Sequence, residues 1–225
     1  SGGRRFWSGY VALRRVKVEN EALKRQLADA QIAVQQRRAL ADRTRSLEQL
    51  LGLRDRSNLK TAAAEVIGAG AAPEFRTLTI NKGTGDGLRP DMAVIASAGV
   101  VGRVVMPSRN AAKVQLLIDR NAAAGALDER SRAQGVVVGR GDDRLQMEYV
   151  SEVADVALGD TIVTSGIDGI FPKGLAIGRV ESIEKNGTAY SRIVVKPAVN
   201  FSELEELLVV LTPTPPHEAA EGERE

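Results

Sequence analysis

Near Asn58 the hydrophobic pattern of this chain changes its period, and that change dictates two kinds of structure on either side of it. From Tyr10 to Leu53 there is no proline and one glycine, Gly52, while Ala, Leu, Glu, Gln, Arg and Lys dominate. These are strong helix formers, so the segment is expected to form one long helix. Its apolar residues fall at Leu13, Val16, Leu23, Leu27, Ala30 and Val34, with Asn20 at an a position of the heptad. A stripe this narrow on a polar helix needs a partner helix to cover it, which predicts a coiled-coil homodimer through Leu13, Val16, Asn20, Leu23, Leu27 and Val34. A single a-position asparagine costs stability but fixes register and favours a parallel pair. Beyond Val34 the seam meets Arg37 and resumes at Leu40, Leu47 and Leu51, displaced by three residues, a local interruption of the coil. The competing reading is that the seam packs on the chain's own β-region.

After residues 54–58 apolar and polar residues alternate. Residues 75–81 read Phe-Arg-Thr-Leu-Thr-Ile-Asn and residues 145–150 read Leu-Gln-Met-Glu-Tyr-Val, each a short strand with one buried face. Further strands are expected at 92–96, 99–105, 114–118, 135–138, 161–164, 175–183, 191–195 and 207–211. Such short, evenly spaced strands favour barrels or sandwiches, and no helical crossover of adequate length lies between them to build a parallel sheet. The fold class expected is therefore mainly β with an N-terminal α-helix: a long coiled-coil helix followed by two small β-barrel-like domains. A faint repeat supports two units. Gly85-Asp86, an apolar strand and then Gly99-Val-Val-Gly-Arg-Val104 resemble Gly159-Asp160, an apolar strand and then Gly174-Leu-Ala-Ile-Gly-Arg-Val180. The divisions expected are 1–56 for the dimerising helix, 57–128 and 129–211 for the two β-units, and 212–225 for a disordered proline-rich tail. Strand exchange between the units would make one of them discontinuous.

The residues offer little chemistry. The chain has no cysteine, and its only histidine, His217, sits in the tail beside Pro216, where no packing holds an imidazole for a triad or a metal. The acid pairs Asp142-Asp143 and Glu205-Glu206 read as solvated surface. Gly83-Thr-Gly-Asp-Gly87 leads into a strand rather than a helix, so it reads as a turn and not a phosphate loop. Asn186-Gly187 likewise reads as a hairpin turn before a glycosylation sequon. No catalytic residue, metal or cofactor is expected. Residues 1–60 hold 14 Lys/Arg against 6 Asp/Glu, leaving 17 against 23 of the totals 31 and 29 for the β-region. The positive charge therefore lies on the helix, away from any β-platform, which argues against nucleic-acid binding. No run of about 18 apolar residues occurs. Arg4-Arg5-Phe6-Trp7 with Tyr10 is a basic-aromatic cluster of the sort found at a bilayer surface, and the start at Ser1 leaves room for an anchor helix before it.

The run 77–83, Gly99 to Val104, and above all Gly159-Asp-Thr-Ile-Val-Thr-Ser-Gly-Ile-Asp-Gly-Ile-Phe-Pro-Lys-Gly174 with Ile177-Gly-Arg-Val180 resemble the MreC family of bacterial rod-shape proteins. The match runs in order over about residues 10–211. The resemblance implies two six-stranded barrels, a missing single-pass anchor and an extracytoplasmic, periplasmic location. It also implies homodimers, leaving open whether these extend into filaments, and binding of the elongation-specific penicillin-binding transpeptidase beside MreD and, indirectly, MreB, with no catalytic residues. The partner-binding residues expected are apolar ones at turns, Ile170, Phe171 and Pro172, with Phe75 and Tyr149. Against this stands the reading that Phe171 plugs its own barrel. A periplasmic adaptor of an export system, which also joins coiled coil to β-barrels, is the alternative; a carboxylate-dependent wall hydrolase comes third.

Overall fold

The computed structural model describes residues 59–70, 75–184 and 189–211 continuously, and separate helical residues between Lys24 and Gly52. The chain divides into two units, residues 1–48 and 49–225. Of the six expected dimer residues, Leu13, Val16, Asn20, Leu23 and Leu27 lie outside the described residues, as do most of the expected long helix, the Asn186-Gly187 turn and the tail 212–225. Val34 is helical and 47% exposed. In the second unit, helical Leu50 is buried in the same apolar cluster as the strands.

Twelve strands follow among the described residues: β1 (Thr61–Ala69), β2 (Thr77–Ile80), β3 (Ala93–Ala96), β4 (Gly99–Pro107), β5 (Ala112–Leu116), β6 (Ala123–Asp128), β7 (Gln134–Gly139), β8 (Leu145–Ser151), β9 (Thr161–Thr164), β10 (Ala176–Glu184), β11 (Tyr190–Pro197) and β12 (Glu206–Val210). They form two closed six-stranded barrels, in the order β1-β12-β3-β4-β5-β2 for barrel 1 and β10-β11-β8-β7-β6-β9 for barrel 2. Every pairing is antiparallel. Closure leaves no sheet edge, which suits strands too short to shield one. Alternation places Ile80, Val94, Val104, Val114, Leu207 and Val209 inside barrel 1, and Val137, Leu145, Met147, Ile162, Ile193 and Val195 inside barrel 2, all fully buried. Each such side chain contributes about 1.5–3 kcal/mol of burial.

The division expected at 128/129 falls inside a hairpin. Asp128 accepts N–H from Arg130 and the Ser131 hydroxyl, and its own N–H reaches Ala133 O, so β6 turns tightly into β7. Thus β6, assigned by sequence to the first unit, belongs to barrel 2, while β12 crosses back to close barrel 1. The chain passes between barrels at residues 117–122, where Leu117, Ile118 and Asp119 are buried. Two strands, β1 and β6, stand where none was expected; their sequences, TAAAEVIGA and AAGALD, are built of alanine and glycine, which have low β-propensity.

The repeated Gly-Arg-Val has a steric cause. A Cβ on Gly102 would lie 1.9 Å from Gln115 O, and one on Gly178 would lie 2.2 Å from Lys196 O. Paired backbones therefore approach at these points in both barrels too closely for a Cβ, and only glycine fits.

A candidate partner-binding face on the second barrel

The segment with the strongest family likeness is a loop that folds upon itself. Between β9 and β10, Asp168 Oδ1 accepts the N–H groups of Ile170 and Phe171 at 2.9 and 3.1 Å, and its Oδ2 accepts Gly125 N–H of β6 at 2.9 Å. Thr164 Oγ1 accepts Leu175 N–H at 2.9 Å and donates to Pro172 O. Gly166, Gly169 and Gly174 take φ of 80, 69 and 87°, the left-handed region that a residue with a Cβ rarely adopts. These constraints turn Phe171 into the core, where it is 1% exposed. Phe171 is therefore a core residue and not an exposed one, packed in an apolar cluster made mostly of Val, Ile, Leu and Ala, where a large aromatic side chain is held by packing.

The other expected contacts separate. Phe75 is 55% exposed ahead of β2. Ile170 and Pro172 are half-buried; Ile170 packs against the apolar core and lines a recess of about 190 Å³ with Arg89–Ala93 of barrel 1 and with Val210 and Leu211. Tyr149 is 64% exposed. Its φ of 59° is unusual for a residue with a side chain and costs about 1–2 kcal/mol. The cause lies in the pairing of β8 with β11, where Ser191↔Val150 is followed by Ile193↔Met147: an extra residue in β8 makes a bulge that turns Tyr149 outward. There it meets Tyr190 edge to face, with ring centroids 6.0 Å apart and planes at 76°.

Tyr149 also forms one wall of a groove of about 420 Å³. Gly125 of β6 and Gly135 and Val136 of β7 floor it, and Ile167, 56% exposed, stands in the loop opposite. Small residues make the floor because the loop lies close: a Cβ on Gly125 would be 2.7 Å from Ser165 Oγ. The result is an apolar hollow flanked by two exposed apolar side chains, the shape that receives a protruding side chain of a partner. Sequence reasoning missed Ile167. Its signal was present, an apolar residue between Gly166 and Asp168 in a loop, but the neighbouring Ile-Phe-Pro drew the assignment instead.

The electrostatics around barrel 2 are structural. Arg130 bonds Asp155 Oδ2 at 2.6 Å and Asp160 Oδ2 at 2.8 Å, joining the β6–β7 turn to the loop before β9. The Arg130 guanidinium, with the Ala157 N–H, lowers the Asp160 carboxyl to about 2, and both carboxylates raise Arg130 further above its already high value. The expected phosphate-loop lookalike is a short 3-10 turn at Thr84–Asp86, with Asp86 accepting Gly83 N–H. Gly87 there has φ of 89°, as expected of a turn glycine. Gly83, at φ −144°, is required for a different reason, a Cβ 2.2 Å from Ser108 O. Among the described residues no group of three or more His, Cys, Asp or Glu converges to hold a metal ion, and no helix is long and apolar enough to cross a membrane.

The family model described as "Rod shape-determining protein MreC, barrel core" matches residues 66–211. The cell shape-determining protein MreC of Caulobacter vibrioides is 32% identical over 160 residues, which are 71% of this chain and 46% of that relative. The chain thus spans about half the length of that relative. The crystal structure of MreC from Pseudomonas aeruginosa superposes with a TM-score of 0.65 at 28% identity, covering 67% of this chain and 99% of that one. MreC of Helicobacter pylori, solved in a complex with a penicillin-binding protein, PBP2, shares the fold with a TM-score of 0.56 at 19% identity, covering 68% and 99%.

Proposed function

The chain belongs to the MreC family of rod shape-determining proteins, and from that membership we propose that it is a non-enzymatic scaffold of the cell-elongation machinery on the extracytoplasmic side of the membrane. It dimerises through the helix expected over residues 10–53 and binds a penicillin-binding transpeptidase, promoting peptidoglycan synthesis beside MreD and, indirectly, MreB. The observation that carries the binding is the Tyr149–Ile167 groove, an apolar hollow of about 420 Å³ on the second barrel flanked by two exposed apolar side chains. The Helicobacter pylori relative, solved with a penicillin-binding protein, supports the choice of occupant. A scaffold acts on such an enzyme by holding one of its states better than another, which needs contact area and no reactive group. The family match does not favour the export-adaptor alternative.

The test is the affinity of the full chain for the elongation transpeptidase of the same cell. Replacing Tyr149 by Ser removes an aromatic anchor of the size that dominates interfaces and is expected to weaken binding roughly thirtyfold, with the circular dichroism spectrum unchanged. A folded Y149S chain that binds as the parent does refutes the groove; a folded parent with no affinity refutes the transpeptidase reading. For the dimer, Val34→Asp is expected to shift the mass in sedimentation equilibrium towards the monomer. A dimer of undiminished affinity removes Val34 from the seam.

A further inference from the structure

We infer that the two barrels are copies of one six-strand unit that have exchanged their last strands, so that barrel 2 is complete in itself, barrel 1 depends on it, and the protein opens in one order, barrel 1 first. The strand orders match when the two barrels are laid over one another. Taken from the strand after the Gly-Asp turn, barrel 1 runs β3-β4-β5-β2-β1-β12 and barrel 2 runs β9-β10-β11-β8-β7-β6. The correspondence reaches single residues. Gly102-Arg103-Val104 in β4 is followed by a register shift between Val104 and Met106, and Gly178-Arg179-Val180 in β10 by one between Val180 and Ser182. Each glycine lies against the carbonyl of the residue that pairs with the arginine after it, Gln115 with Arg103 and Lys196 with Arg179. Asp86 accepts the N–H three residues before it, from Gly83, and Asp160 does the same with Ala157.

In this superposition β6 corresponds to β12. Along the chain each copy then ends in a strand that sits in the other barrel: β1–β5 are followed by β6, which closes barrel 2, and β7–β11 by β12, which closes barrel 1. The pairings agree, since β6 lies between β7 and β9 and β12 between β1 and β3. The hairpin β6–β7 is covalently closed by residues 129–133. Its counterpart in barrel 1 is open, with Leu211 N–H bonded to Lys60 O where the chain enters and leaves.

The consequence is an asymmetry. Barrel 2 is the unbroken segment β6–β11 and keeps all six strands when barrel 1 opens. Barrel 1 needs β5 and β12 brought together across residues 117–205, and folded barrel 2 does this by holding both ends of that segment; unfolded, it becomes a long loop whose closure entropy opposes barrel 1. Opening barrel 2 also removes contacts that fix the connector, Gly141 N–H on Ile118 O and Gly139 N–H on Ala122 O, together with the Arg76 Nη2 bond to Gly141 O. The Tyr149 groove sits on the barrel that stands alone.

Native-state hydrogen exchange on the full chain tests the order, with Ile80→Ala in barrel 1 and Ile193→Ala in barrel 2, both at fully buried sites. Each is expected to raise its opening constant about thirtyfold or more. Because barrel 2 opens only after barrel 1, I80A accelerates the slowest amides of both barrels, whereas I193A accelerates those of barrel 2 and leaves barrel 1 at parent rates. Ile→Val at the same positions gives the same pattern at roughly fivefold and retains the fold if the alanines do not. Acceleration by the barrel 1 substitution that stops short of barrel 2 means independent barrels, and equal acceleration of both barrels by both substitutions means one cooperative body. Either result overturns the inference, as does the reverse order.

Discussion

Replacing Phe171 by Ala separates packing from recognition in the loop that carries the family likeness. The ring is 1% exposed and belongs to the continuous apolar cluster, while the backbone around it is fixed by Asp168 and Thr164 rather than by the ring itself. The loop therefore holds its course and cannot collapse into the vacated space. Under those conditions a buried Phe→Ala change sits in the range of about 3–5 kcal/mol, lost transfer energy plus a retained cavity, against a typical total stability of about 5–15 kcal/mol. At a urea m value of about 2 kcal/mol/M the midpoint falls by about 2 M. Phe171→Leu keeps most of the volume and is expected to cost about 1 kcal/mol. Urea titration followed by far-UV circular dichroism measures both, and transpeptidase affinity is read below the transition, where each variant is folded. Packing requires the large stability loss with affinity unchanged. A midpoint within 0.5 M (about 1 kcal/mol) of the parent, together with lost affinity, would refute the burial argument and return Phe171 to the surface.

Three further outcomes follow from the geometry. Gly102→Ala and Gly178→Ala each drive a Cβ into a carbonyl at 1.9 and 2.2 Å, so each is expected to lower stability by about 2 kcal/mol or more; a thermal midpoint unchanged in either would show that the strands do not approach as closely as described. Tyr149→Gly removes the left-handed strain but also the ring, so it is expected to leave stability within about 1 kcal/mol of the parent while weakening transpeptidase binding roughly thirtyfold, as Tyr149→Ser does, a split visible only when both are measured. Asp160 has a folded pKa depressed to about 2 from an ordinary 3.8, so its contribution to stability is present above pH 3.8 and is lost as the pH falls towards 2. Asp160→Asn is expected to flatten that part of the acid unfolding curve, and a curve of unchanged slope would remove the Arg130–Asp160 pair from the account.

The barrels were legible wherever alternation was carried by branched residues. Strands such as β5, with buried Ala112, Val114 and Leu116 on one side and Lys113 and Gln115 on the other, announce both their period and their face. The turn at residues 83–87 was legible too, because the positive φ at Gly87 has few other solutions. Tyr149 is named from sequence only as an apolar residue at a turn, and strict alternation in Leu-Gln-Met-Glu-Tyr-Val puts it on the same face as Leu145 and Met147; nothing local marks the bulge that turns it outward. That bulge is a property of the register with β11, more than forty positions later in the chain. Phe171 left two readings open for the same reason: whether an apolar loop residue faces in or out depends on Asp168 reaching Gly125 across the sheet.

What sequence hid most completely were β1 and β6, and their concealment follows from where they sit. Gly125 must be small because the 165–168 loop presses on it, and Gly70, just past β1, because a Cβ there would meet Thr77 Oγ1 at 2.4 Å. Close approach selects Ala and Gly, and these are the residues that carry the weakest strand signal. The same two strands bear on domain assignment. A boundary drawn from composition falls between repeats, at residues 128 and 129, yet the hydrogen bonds of β6 belong to the following copy and those of β12 to the preceding one. Sequence repeats mark the unit that was duplicated, whereas barrels mark the unit that closes, and the two coincide only when no strand crosses over. Here β6 and β12 both cross, so the boundary of the folded bodies lies in the buried connector around Asp119, whose carboxylate accepts Arg76 N–H at the start of β2 and Asn121 N–H on the way to β6.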